Sequence, residues 1–179
     1  MNKQELYNVE LAPELIVSKW INSENDILLE HLRGKVVAIH AFQMLCPGCV
    51  LHGIPQAKKL YDSFNREHVE VLGLHTVFEH HSGMKEESLR AFAYEFRIKF
   101  PIGIDKASEG SDIPKTMELY EMKGTPTWLL IDRKGRLRLH AFGQLDDLVL
   151  GSEITKLALE DGITNIDLVK KLSANHGHY

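Results

Sequence analysis

The chain has 179 residues, 44% of them hydrophobic and 26% charged, the balance of a globular protein that buries one ordinary core. Its formal net charge of −4 gives no reason to expect nucleic acid or an anionic membrane as a partner. The N-terminal MNKQELYNVELAPELIV has no apolar run of signal-peptide length, and no segment approaches the ~18 uninterrupted apolar residues of a membrane span. The expected location is therefore cytoplasmic, where a close cysteine pair is catalytic or metal-binding more often than structural.

In chain order, residues 1–14 are expected to form a loosely held arm, 15–20 a short strand, and 23–32 a helix or turn. VVAIHAF (36–42) is a continuous apolar run with β-branched residues, the pattern of a strand buried on both faces. A long helical pattern follows to about residue 65. Leu51, Ile54, Ala57, Leu60, Tyr61 and Phe64 recur in it at spacings of three and four, as one buried face requires. VEVLGLHTV (69–77) reads as a second buried strand, 86–96 as a helix, and FPIGID (100–105) as a third strand. A short helix is expected over 113–122, started at Pro114. TWLLID, the turn Asp132-Arg133-Lys134-Gly135 and RLRLHAFG form a hairpin whose second strand alternates basic and apolar residues. A last helix covers 146–160, and the tail, weakly helical in NIDLVKKL, ends in a polar HGHY expected to be disordered. The order of elements predicts an α/β fold, a central mixed sheet flanked by helices, in one domain of residues 1–162 with a partly disordered extension at 163–179.

Both cysteines of the chain lie in CPGC, where a buried strand meets a helix. Cys46 would stand at a helix N-terminus, where free N–H groups and the dipole favour the thiolate, with Cys49 about one turn on. Pro47 suits a first helical turn because its missing N–H has no partner there. Gly48, without a side chain, leaves the sulfurs accessible. Cys46 would attack a substrate disulfide and Cys49 would resolve the mixed disulfide. A zinc site is the alternative, but it ordinarily takes four ligands and no second cysteine pair is present. Two inert buried thiols would leave their position at the junction unexplained.

GKVVAIHAFQMLCPGC (34–49), LYEMKGTPTWLLIDRKG (119–135) and the strand–helix segment of about 69–105 resemble the thioredoxin superfamily. Within it they resemble the TlpA-like thiol–disulfide oxidoreductases of the AhpC/TSA-related redoxin group. The resemblance implies a thioredoxin-like fold with a strand–helix insertion, Cys46 as nucleophile and Cys49 as resolving thiol. Pro126, preceded by Thr125, matches the family's cis-proline, whose loop lies against the cysteine pair and offers backbone groups to an extended substrate. Pro47 and Gly48 share that substrate face. The implied partners are a disulfide-containing protein or small molecule and an electron-donating reductase or thiol; no cofactor or metal is called for.

The chain departs from thioredoxin at several positions. Leu45 stands where a Trp precedes the first cysteine, and Pro55 lies six residues after Cys49 rather than five, which calls for a bulge or a shifted kink. His40 falls where thioredoxin has a buried acid. It is expected to face helix side chains with Val36, Ala38 and Phe42, to be neutral at pH 7 and to relay the proton of Cys49, unless it is a packed core histidine. His75, Glu79, His80 and His81 gather after the second strand, and metal binding there competes with simple solvation. A peroxiredoxin-like peroxidase is a rival function. The hydroxyl and proline that precede the reactive cysteine in that group are replaced here by Gln43 and Ile39 when counted from Cys46, or by Cys46 and Phe42 when counted from Cys49. A non-catalytic thioredoxin-like binding module is the other rival, though such modules tend to have lost a cysteine.

Overall fold

The structure, a computed structural model, describes residues 10–160 and 168–169. Its strands are β1 (Val17–Ile21), β2 (Val36–Phe42), β3 (Val69–His75), β4 (Ile102–Asp105), β5 (Thr127–Ile131) and β6 (Leu137–Phe142). The helices are α1 (Ile54–Ser63), α2 (Glu86–Glu95), α3 (Lys115–Leu119) and α4 (Asp147–Leu159). The strands form one mixed sheet in the order β1-β4-β3-β2-β5-β6. The central β4, β3 and β2 run parallel, while β1, β5 and β6 are antiparallel to their neighbours.

Alternation along β2 explains why the sheet is covered on both sides. Val36, Ala38 and Phe42 enter a core with Ile54, Ala57 and Leu60 of α1, Leu89 of α2 and Ile154 of α4. Val37, Ile39 and Ala41 enter the opposite core with Leu29, Met117 and Tyr120. Every residue of β2 and β3 is buried, as a strand covered by helices on both faces must be. The β5–β6 hairpin is fixed at its turn by Asp132. Its carboxylate accepts the backbone N–H groups of Lys134 and Arg136 and the guanidinium groups of Arg136 and Arg138, and Gly135 takes the left-handed φ of +83°.

Several expectations change. Residues 10–12 are not a loose arm: Ala12 N–H donates to Gly135 C=O, Leu137 N–H donates to Glu10 C=O, and Leu11 bridges Arg136. The helix after CPGC is not uniform. After an α-helical start at Pro47 and Gly48 it widens into a π turn, Cys49–Gly53, before α1 begins at Ile54. This turn takes up the extra residue that sets Pro55 six positions after Cys49. The wider turn also moves Leu51 off the buried face, leaving it 68% exposed, while Ile54, Gln56, Ala57 and Leu60 are buried. Pro114 precedes α3 as its N-cap in extended conformation, and the helix is shorter than expected. The strand expected to run to 77 ends at His75, where Thr76 N–H turns to Phe42 C=O. Of the tail, Leu168 and Val169 lie in extended contact with Phe64 and Asn65 rather than in a helix. The rest of the extension lies outside the described residues.

Candidate active site

The end of β2 delivers the cysteine pair. After Phe42 the chain turns, Cys46 N–H donates to Gln43 C=O (3.3 Å), and Cys46 C=O accepts Val50 N–H (3.0 Å), so the helical segment starts at Cys46. Both cysteines are free thiols. The Cys46 sulfur accepts Cys49 N–H at 3.3 Å and donates to Thr125 C=O at 3.5 Å. Cys46 is half-buried and Cys49 fully buried. Burial first, and then the adjacent Cys46 thiol, push the Cys49 thiol up to about 12. One sulfur is therefore presented outward and the other is held behind it as a thiol.

The Thr125–Pro126 peptide is cis. The proline ring lies so close to Gly48 that a methyl there would meet Pro126 Cδ at 3.3 Å. Gly48 thus makes room for Pro126, a more specific reason for glycine than sulfur access. Pro47 is exposed on the outer side of the turn, and Thr125 is half-buried beside Cys46. Phe142 of β6 covers Gly124 from the other side and keeps 55% of its own surface exposed. Cys46, Cys49, Pro47, Gly48, Thr125 and Pro126 are brought together at one end of the sheet.

Gln43 is a residue of this site that motif reasoning missed. Its side chain is buried; Oε1 accepts Phe78 N–H (3.2 Å) and Nε2 donates to the Glu79 carboxylate (3.3 Å). The loop after β3 is thereby tied to the cysteine turn, and Gly83 of that loop stands against Leu45, where a methyl would lie 3.5 Å from Leu45 Cδ1. A polar residue directly after a fully apolar strand was the available signal. His80 and His81 are exposed on this loop, and His75 is buried in β3, where burial lowers it to about 4. Among the described residues, no group of three or more His, Cys, Asp or Glu side chains is arranged to hold a metal ion.

His40 is completely buried on the helix-facing side of β2. Its imidazole stacks on Phe42 (centroids 5.7 Å apart, planes 5° apart) and lies 4.9 Å from the Trp128 ring, opposite it in β5. Burial lowers it to about 3, so it is neutral at pH 7. Neither ring nitrogen has a hydrogen-bond partner among the described residues. With no hydrogen bond from the imidazole to either sulfur, the expected proton relay has no direct path in this geometry.

The AhpC/TSA family signature matches residues 10–140. The chain belongs to the AhpC/TSA family. Two solved structures superpose on this family member with a TM-score of 0.81. The thioredoxin-like superfamily protein SPOA0173 is 55% identical, over 83% of this chain and 96% of that one. A thiol-disulfide isomerase from Corynebacterium glutamicum is 50% identical, over 85% and 97%. The thiol-disulfide oxidoreductase ResA of a Bacillus cereus strain is 25% identical over 136 residues, 76% of this chain and 70% of that protein. This AhpC/TSA protein has a thioredoxin-like fold and is an oxidoreductase.

Proposed function

We propose that the enzyme is a thiol–disulfide oxidoreductase whose working couple is Cys46 and Cys49. The observation that carries this reading is their asymmetry: a half-exposed sulfur beside Thr125 and Pro126, and a fully buried one directly behind it. Only Cys46 is placed to meet a substrate. Its thiolate attacks one sulfur of a substrate disulfide, forming a mixed disulfide and releasing the other sulfur as a thiolate. The released substrate thiolate takes the Cys49 proton as Cys49 attacks the Cys46 sulfur, which expels the second substrate thiolate and closes the Cys46–Cys49 disulfide. The substrate has gained two electrons from the enzyme, and a reductase or small thiol supplies two more to reduce the Cys46–Cys49 disulfide again. The Cys49 thiol's upward shift favours this order, because burial keeps it protonated while Cys46 makes the first attack. Leu45, next to Cys46 in the chain, and Phe142, packed on Gly124, keep exposed apolar surface that suits an extended segment carrying an apolar side chain.

Reduction of insulin disulfides by the pre-reduced protein tests the proposal. Cys46→Ser should abolish it, and Cys49→Ser should accumulate mixed disulfides visible by mass. Peroxide turnover by Cys49→Ser, with a wild type inert toward disulfides, would instead establish a peroxidase.

A further inference from the structure

The π turn and His40 occupy the same place. A methyl at Gly53 would lie 2.5 Å from His40 Cε1 and closer still to Nε2, a spacing that real side chains do not adopt. Gly53 is buried, so the imidazole fills the space on which this turn rests. An unpaired polar ring in a core costs free energy that an apolar side chain would not, and His40 has no partner for either nitrogen among the described residues. Its neighbours are two aromatic rings and the backbone of the turn, which are contacts of shape.

The turn's register decides where Cys49 stands. Ile54 N–H reaches past Val50 to the C=O of Cys49, the π spacing, where an α-helix would have it bond Val50. Pro55, which has no N–H, follows immediately and leaves one carbonyl without its α-helical donor, so the ladder is already interrupted at this point. Cys49 supplies the N–H that the Cys46 sulfur accepts. Any change in the pitch of Cys49–Gly53 therefore moves the resolving sulfur and the hydrogen bond on the nucleophile together.

We propose that His40 is a positioning residue: wedged beneath Gly53, its ring holds Cys49–Gly53 in the π register and so sets the geometry of the Cys46–Cys49 pair. This rests on the dithiol–disulfide function proposed above. The role is one of bulk, with no proton transferred to or from the imidazole.

The equilibrium constant of the Cys46–Cys49 couple against glutathione is the readout, measured on the full chain with folding checked by circular dichroism. His40→Ala should shift that constant about tenfold, equivalent to about 30 mV. His40→Leu, which restores bulk without a titratable proton, should stay within about twofold of wild type and keep the wild-type rate of mixed-disulfide release. Gly53→Ala should shift the constant about tenfold alone and less than about twofold in the His40→Ala background, where the methyl has room. Equal effects of Gly53→Ala in both backgrounds, or a wild-type constant in His40→Ala, would overturn the proposal. So would slowed release in His40→Leu, which would restore the proton relay. If Gly53→Ala does not fold, the His40→Ala and His40→Leu pair still decides. A wild type that forms no Cys46–Cys49 disulfide at any glutathione ratio would refute the function itself and leave this inference without an object.

Discussion

Acidification should destabilise this protein through its buried histidines, and His40 allows the size of the effect to be worked out. In the folded state burial lowers it to about 3, against an ordinary value of 6.5. Between those two values the unfolded chain binds the proton and the folded chain does not, so stability falls as pH falls. The contribution is fully present above 6.5 and is lost progressively as the pH drops toward 3. At pH 5 the unfolded imidazole is about 97% protonated, which favours unfolding by about 2 kcal/mol; the loss would reach about 4 kcal/mol at pH 3. His75, lowered to about 4 by burial, adds a loss of the same order at pH 5. Urea unfolding at pH 7.5 and pH 5.0, for wild type and His40→Leu, isolates the His40 share because the other titrating groups are common to both. The drop in unfolding free energy between the two pH values should be about 2 kcal/mol smaller in His40→Leu, at an unchanged dependence on urea. Parallel drops would refute the reasoning: the imidazole would then be taking up its proton in the folded state, and its burial would not be what the geometry indicates.

Four other substitutions probe the loop after β3, the π turn and the hairpin turn. Gln43→Leu removes the acceptor of the Phe78 N–H and should cost about 1–3 kcal/mol in urea unfolding, with faster hydrogen exchange at the Phe78 amide. Unchanged exchange there would mean that the loop does not depend on Gln43. Leu51→Lys should change stability by no more than about 0.5 kcal/mol, whereas Ile54→Ala, three residues on, should cost about 2–5 kcal/mol; similar losses would contradict the π turn. Asp132 is held below its ordinary 3.8: burial pushes it up, but hydrogen bonds from the Arg136 backbone and from the Arg136 and Arg138 side chains outweigh that. Its contribution is present above 3.8 and lost as pH falls through the lower folded value, so Asp132→Ala should flatten only the most acidic limb of the stability curve, as followed by thermal unfolding.

What could be read in the sequence and what could not divides along the range of the interactions involved. The run VVAIHAF announced a doubly covered strand because burial on both faces favours apolar side chains along its whole length, which six of its seven residues are, and β2 is buried throughout, His40 included. Side-chain alternation likewise put His40 on the helix side, since the direction of a strand residue depends only on its own position. Adjacency of a cysteine pair to a strand end is equally local, and the site forms there. The π turn was hidden because helical periodicity presumes 3.6 residues per turn; a single wide turn shifts the count, so Leu51, which keeps step with the buried face in sequence, is exposed. The docking of residues 10–12 on the hairpin runs through backbone N–H and C=O groups, which every residue carries and no residue type advertises. Gln43 bonds a partner 35 residues away in sequence, and the Trp128 that packs on His40 belongs to a different strand. Such pairs exist only once the sheet order brings β2 between β3 and β5. The same logic explains why the role of His40 required the fold. Its position in the strand was legible, but whether its nitrogens would find a proton acceptor or only aromatic faces and a glycine depended on two segments distant from it in sequence, β5 with Trp128 and the turn with Gly53.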